Sequence, residues 1–329
     1  MKKILVTGGA GFLGLSLARK LASQNYNVDL LDNFSRAVMD DDLNESLALP
    51  NINILEIDLT SKDQCQKIGN DYTYIFHLAA IIGVSHVLNN PYKVLTKNIS
   101  MLENIIDISK QQTQLIRLLF SSTSEVYAGT LQSFSMEIPT PENTPLTCTN
   151  LEEERSTYML SKIYGESMCR HSGLPFTIFR PHNVYGPRMG MSHVIPEQLF
   201  KAYKSKDDEV IDVFSPSHTR SFCYIDDATE LLVSFLNSEC TGQVFNLGSD
   251  FEEISILELV KICHEVVGKD LLIKQKEDTQ GSPARRAPDI SLAKNLLDFK
   301  PKISLKTGVE RTYSWYKENV FNKEDGYAI

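Results

Sequence analysis

Residues 7–14, TGGAGFLG, restrict the fold of this chain more than any other stretch. They follow a short β-branched run, KILVT (3–7), and lead into residues 12–24, where apolar positions recur at helical spacing. Gly8, Gly11 and Gly14 make GxxGxxG, and Gly9, Gly11 and Gly14 also fit GxGxxG. Glycines at a strand-to-helix turn let backbone N–H groups approach a pyrophosphate at the helix N-terminus. A tight turn with no ligand is the competing explanation, and the setting between strand and helix favours the ligand.

The first half of the chain alternates. NVDLLD (27–32), INILEID (52–58), YIFHLAA (74–80), LIRLLFSS (115–122) and FTIFRP (176–181) read as strands, with helical patterns at 91–111 and 155–172. Such alternation predicts an α/β fold, a doubly wound parallel sheet with helices on both faces. Its ligand belongs beyond the carboxyl ends of the strands. The second half is less regular: helices are expected at 196–205, 226–238, 255–267 and 306–320, and strands at 209–213, 220–225 and 243–247. At 329 residues the chain exceeds what one core fills comfortably. A nucleotide-binding domain at 1–182 and a smaller substrate domain at 183–329 are expected, with later segments returning to the first.

Asp32 ends the second strand about twenty residues beyond the glycines, where a carboxylate accepts bonds from adenosine ribose hydroxyls. A 2′-phosphate there would meet a like charge at a cost of ~4 kcal/mol. NAD is therefore favoured over NADP, and nearby Arg36 is read as solvated. Asp58, ending the third strand, is either an adenine contact or a turn residue. In YMLSK, Tyr158 and Lys162 stand at i and i+4 on one helix face. A tyrosine working as a base near neutral pH needs its pKa lowered by ~3 units, about 4 kcal/mol. An adjacent ammonium supplies much of that.

The net charge of −9 leaves no electrostatic footprint for nucleic acid and argues against an anionic membrane surface. Six cysteines lie scattered without CxxC or CxxH spacing, so no metal site is expected and they read as reduced thiols of a cytoplasmic protein. The apolar run in MKKILV is too short for a signal peptide, and no later stretch is long enough to span a bilayer.

Taken together, TGGAGFLG, HLAA (77–80), SSTSEVY (121–127), YMLSK, FRPHNVYGPR (179–188), RSFCYIDD (220–227) and SPARRAPDISLAK (282–294) resemble the extended short-chain dehydrogenase/reductases of the nucleotide-sugar epimerase/dehydratase/decarboxylase group. The resemblance covers nearly the whole chain. It implies a Rossmann-type domain holding NAD and a smaller domain that binds a nucleotide sugar, with UDP-sugars favoured. Tyr158 becomes the base at a sugar hydroxyl, Lys162 its pKa-lowering partner and Thr123 a hydrogen-bond donor to the reacting oxygen. The implied cofactor set is Gly8, Gly11, Phe12, Leu13, Gly14, Asp32, Asn33, Asp58, Leu59, Leu78, Ala79, Ala80 and Asn98, with Tyr158 and Lys162. Asn183, Arg220 and either Arg285 or Arg286 are implied for the substrate; Arg286 is favoured by its spacing to Pro288-Asp289. A homodimer through helices 91–111 and 155–172 is also implied by kinship.

Glu125 distinguishes the possible reactions. A simple 4-epimerase has no need of a carboxylate there, whereas dehydratases and decarboxylases move a further proton. The Thr-Ser-Glu order at 123–125 resembles UDP-glucuronate decarboxylases and GDP-mannose 4,6-dehydratases, and RRAPDISLAK looks more like the former. The loop HNVYGPRMGMSHVIPE (182–197) and the AGT at 128–130 depart from the decarboxylase pattern. The leading expectation is NAD-dependent, decarboxylase-like chemistry through transient C4 oxidation. The alternatives are a 4-epimerase, a 4,6-dehydratase, a net reductase, or a non-catalytic NAD-binding scaffold or sensor; the competing reading of Glu125 itself is a buried acid that bonds backbone groups or caps a helix.

Overall fold

The computed structural model describes residues 2–148, 150–279 and 282–323. The chain forms two compact units. The first comprises residues 1–136, 142–181 and 229–247. Its centre is a seven-stranded sheet in the order Val244–Leu247, Phe176–Pro181, Arg117–Ser121, Tyr74–His77, Lys3–Thr7, Asn27–Asp32, Ile52–Glu56. Every pairing is parallel. A parallel sheet is covered on both faces, which is why its strands read as continuous apolar runs. Leu5, Ile75, Leu118 and Ile178 lie at zero exposure in one core beneath helix Pro91–Lys110.

Strand order reverses between Lys3–Thr7 and Tyr74–His77. A doubly wound sheet opens its ligand crevice at such a reversal, outside the carboxyl ends of the strands. The glycine loop leaves Thr7 at that point. Two glycines are required there by geometry. Gly8 has φ +66°, and a Cβ on Gly14 would lie 2.3 Å from the Gly8 carbonyl oxygen and 2.8 Å from Gly9 Cα. Helix Phe12–Ser23 thus packs directly on the loop backbone.

The strand Val244–Leu247 returns late in the sequence, and a buried arginine explains how it is held. Arg117, 1% exposed, donates from its Nη1 to the carbonyls of Phe235 (2.6 Å) and Asn237 (2.8 Å). A strand residue thereby ties down the chain just before the seventh strand.

The second unit comprises 137–141, 182–228 and the chain from 248 onward. Its three-stranded sheet runs Glu253–Ser255, Thr219–Ser221, Arg285–Arg286. Two-stranded pairs join Val184–Tyr185 to Cys223–Tyr224 and Val210–Val213 to Leu272–Gln275. The single strand expected at 220–225 is therefore two, serving different sheets. Helix Ile256–Val267 starts with a Ser255/Glu258 capping box and ends at left-handed Gly268, φ +80°.

Candidate functional site

In the first unit, two of the residues expected to hold the cofactor, Asp32 and Ala79, stand against the loop. Asp32 Oδ2 accepts the Ala10 N–H at 3.2 Å and Oδ1 accepts the Phe34 N–H at 3.0 Å. The acid is thus fixed at the strand end beside the glycines. A Cβ on Gly8 would meet Ala79 N at 3.0 Å, so the loop and the 78–80 segment leave backbone in close approach. A backbone cradle, a helix N-terminus and a fixed carboxylate suit a dinucleotide. These residues fit NAD.

Other expected cofactor residues have more structural duties. Asn98 accepts the Ile81 N–H at 2.8 Å and donates to the Ile81 carbonyl and Ser161 Oγ, holding the strand end rather than presenting a free amide. Asp58 Oδ1 accepts from the N–H and hydroxyl of Thr60, both at 2.8 Å, which closes a turn. Asn33 Oδ1 accepts the Ser35 N–H. The Leu59 side chain belongs to the core, and its carbonyl accepts from Asn104 Nδ2 at 2.7 Å. Phe12, Leu13, Leu78 and Ala80 are half-buried around the loop. Arg36 is exposed and reaches the Ile82 carbonyl at 3.4 Å.

Helix Ser156–His171 carries Tyr158 and Lys162 to the carboxyl end of strand Arg117–Ser121. Thr123 caps the short helical turn Ser124–Tyr127, its Oγ1 accepting the Glu125 N–H at 3.2 Å. The Thr123 side chain and the Glu125 carboxylate both lie close enough to Tyr158 to act on its phenol. Burial first, then Glu125, drive the Tyr158 pKa well above the usual phenol range; Thr123 and Arg36 oppose them. Lys162 donates to the Ser121 carbonyl at 2.7 Å and sits 5.9 Å from the Tyr158 ring centre. Its own pKa is pulled down to about 8 by burial. The expected lowering of the tyrosine by Lys162 is not found: burial and Glu125 raise it, and Thr123 and Arg36, not Lys162, oppose them. The physical reason is desolvation plus a neighbouring carboxylate.

His77, at the end of its strand, shares a 2.8 Å hydrogen bond with Thr7 Oγ1. Burial, reinforced by Lys162, drives its pKa down to about 3. The unfolded imidazole takes a proton near 6.5, so the native contribution is intact above that pH and is lost as pH falls from 6.5 toward 3. Between pH 7 and pH 5 the chain is expected to lose about 2 kcal/mol more stability than a His77→Asn variant, read from urea midpoints at both pH values.

In the second unit a cavity of about 240 Å³ is lined by Asn183, Phe214, His218, Arg220, Phe222 and Ser282 among others. Arg220 is braced by the carbonyls of Thr219 and Pro283, each at 2.7 Å, and by Ser282 Oγ at 3.0 Å. Burial and then Arg286 pull its pKa down to about 10. Arg286 lies opposite Arg220 in the strand register. Arg285 instead forms a bidentate pair with Glu253 (2.7 and 2.9 Å) and donates to the Ile138 carbonyl. Of the two late arginines, Arg286 is the one set beside Arg220. Asn183, at φ +42°, donates to the Ser221 carbonyl.

Phe214, His218 and Phe222 escaped the sequence analysis. The signal was present: in HTRSF, period-two alternation puts His218, Arg220 and Phe222 on one strand face.

Gly14→Ala is expected to shift the loop, since the Gly8–Gly9 backbone leaves no room for the new methyl. Its cost is about 1–3 kcal/mol in stability. NAD affinity, measured by titration calorimetry, is expected to fall by more than about tenfold, or 1.4 kcal/mol.

Residues 4–248 match the model of the NAD dependent epimerase/dehydratase family. A UDP-N-acetyl-alpha-D-glucosaminuronate decarboxylase from Bacillus cytotoxicus is 29% identical, over 96% of this chain and 98% of that protein. UDP-glucuronic acid decarboxylase 1 of Arabidopsis thaliana is 31% identical, over 99% of this chain and 72% of that protein. Among solved structures, the UDP-glucuronic acid 4-epimerase of Bacillus cereus, in complex with UDP-glucuronic acid and NAD, superposes with TM-score 0.79 at 27% identity, covering 96% of this chain and 99% of that one.

Proposed function

The chain belongs to the NAD dependent epimerase/dehydratase family, and from that premise we propose that it decarboxylates a UDP-hexuronate, UDP-glucuronate first among candidates, through transient oxidation at C4. The observation that carries this reading is Glu125 in the turn capped by Thr123, its N–H bonded to Thr123 Oγ1 and its charge felt at Tyr158. Relatives of matching length that are named decarboxylases support it. Glycines 8, 11 and 14, with Asp32, hold the cofactor, and Asn183, Arg220 and Arg286 hold the nucleotide diphosphate. NAD supplies the hydride acceptor and later the donor. Tyr158 takes the proton of the C4 hydroxyl, and Thr123 hydrogen-bonds the reacting oxygen. The new C4 ketone accepts the electron pair as the C5–C6 bond breaks and CO₂ leaves. Glu125 manages the proton that C5 then gains, and Tyr158 returns its own to the C4 oxygen. The cofactor ends as it began.

We assign NAD to residues 1–182 and most nucleotide-sugar contacts to 183–329, and we place the protein in the cytoplasm as a homodimer. Exposed Tyr92 (76%) and Tyr164 (58%), on helices Pro91–Lys110 and Ser156–His171, support a paired face. Light scattering of the purified chain checks the dimer.

Incubation with NAD⁺ and UDP-glucuronate, UDP-N-acetylglucosamine, UDP-glucose or GDP-mannose, followed by mass spectrometry, tests the reaction. Loss of CO₂ is expected. Loss of water would make it a dehydratase, and an isomer of unchanged mass a 4-epimerase, the reading that the structural neighbours favour next.

A further inference from the structure

Helix Ser156–His171 carries a buried carboxylate one turn beyond Lys162. Glu166 is 3% exposed, as is Arg180 near the end of strand Phe176–Pro181. The two form a bidentate pair, Nε to Oε1 at 2.8 Å and Nη2 to Oε2 at 2.7 Å. Each also reaches the segment that bears Thr123 and Glu125. Ser122 Oγ donates to Glu166 Oε1 at 2.6 Å. Arg180 Nη1 donates to Tyr127 Oη at 2.6 Å and to the Glu142 carbonyl at 2.9 Å, and its guanidinium lies 4.9 Å over the Tyr127 ring. Tyr127 Oη passes its own proton to Asn246 Oδ1 at 2.9 Å.

The consequence is topological. Residues 122 and 127 bracket Thr123 and Glu125, and both ends of that segment are fixed to one ion pair. The pair is rooted in the helix that bears Tyr158 and Lys162. Folding alone does not demand such a device, because apolar residues of similar volume commonly replace a buried pair without loss of stability. Reactions that move protons at two sugar positions do demand it: a misplacement of about 1 Å can cost about 10²-fold in rate.

We propose that Ser122, Glu166, Arg180 and Tyr127 form a positioning clamp that sets Glu125 against Tyr158, so that the step after C4 oxidation outpaces escape of the keto sugar. This rests on the function proposed above. The clamp is a set of positioning residues; none of the four is assigned a contact with substrate.

The test removes the two outer hydroxyls and leaves the ion pair intact: Ser122→Ala, Tyr127→Phe, and both together, in the full chain with NAD⁺. Turnover of UDP-glucuronate by the double variant is expected to fall about 10–100-fold with KM little changed. The share of turnovers that end in free keto sugar, read by mass spectrometry, is expected to rise. Hydrogen exchange is expected to speed up at 122–128 while NAD affinity holds; the thermal midpoint falls, because Glu166, Arg180 and Asn246 each lose a buried partner. A merely structural bond would lower the midpoint and leave the product partition alone; an unchanged partition in an active double variant overturns the proposal. If the double variant fails to fold, Ser122→Ala alone carries the same readouts. If the parent chain converts none of the sugars, the functional reading has failed. Exchange then decides the clamp by itself: faster exchange confined to 122–128 supports it, and unchanged protection overturns it.

Discussion

Tyr158→Phe is expected to slow conversion of the nucleotide sugar by at least about 10³-fold, with cofactor affinity and thermal midpoint close to those of the parent chain. The ring stays, and so does its packing. Only the hydroxyl proposed to take the C4 proton is lost, on the side that faces Thr123. The size of the effect follows from where that hydroxyl sits. Burial and Glu125 hold its pKa above the usual range, so little phenolate exists near neutral pH until further positive charge arrives. Lys162 is nearby but directed at the Ser121 carbonyl. The oxidation step should therefore quicken as pH rises in the parent chain and show no such limb in Tyr158→Phe. Stopped-flow measurement of nicotinamide reduction across pH checks both statements. Wild-type turnover in Tyr158→Phe would remove the phenol from the reaction.

Glu125→Gln is the second large effect, and its two consequences have opposite signs. Replacing the carboxylate by an amide removes the charge that raises Tyr158. The pH limb of the oxidation step should accordingly move to lower pH. Product formation should nonetheless fall by about 10²–10⁴-fold, the range for loss of a positioned acid or base. Oxidised sugar and reduced nicotinamide should then build up together, with NAD binding intact. Unchanged product formation would return Glu125 to the role of a turn residue held by Thr123.

Much of this was legible in the sequence because it depended on short-range chemistry. Gly8 and Gly14 report their own constraints: one takes a left-handed φ, and the other has no room for a methyl. The apolar strands announce burial on two faces, and the YMLSK spacing puts Tyr158 and Lys162 on one side of a helix. Asp32 stands at the strand end where the pattern puts it.

What escaped was long-range. Nothing near Arg117 foretells that the carbonyls of Phe235 and Asn237 will receive its guanidinium. The arginine in the apolar run FTIFRP signals only that some buried acid must exist; Glu166 is identified by the packing of a helix on a strand. The choice between Arg285 and Arg286 rested on spacing in the sequence. The fold adds strand pairing, which sets Arg286 opposite Arg220 and brings Glu253 to Arg285. The tyrosine's electrostatics were misjudged for the same reason. Helical spacing supplied Lys162 as a neighbour but said nothing of desolvation, or of a carboxylate arriving from another strand end.

The sequence by itself thus determined the strand–glycine–helix start, the parallel sheet and the placing of Tyr158 and Lys162 on one helix face, since these follow from backbone sterics and periodicity. Tertiary structure alone decided which charges face each other: how Glu125 meets Tyr158, how Arg180 meets Glu166, and which arginine is set beside Arg220. Coulomb and desolvation energies depend on separation and burial, and both are set only when distant segments pack.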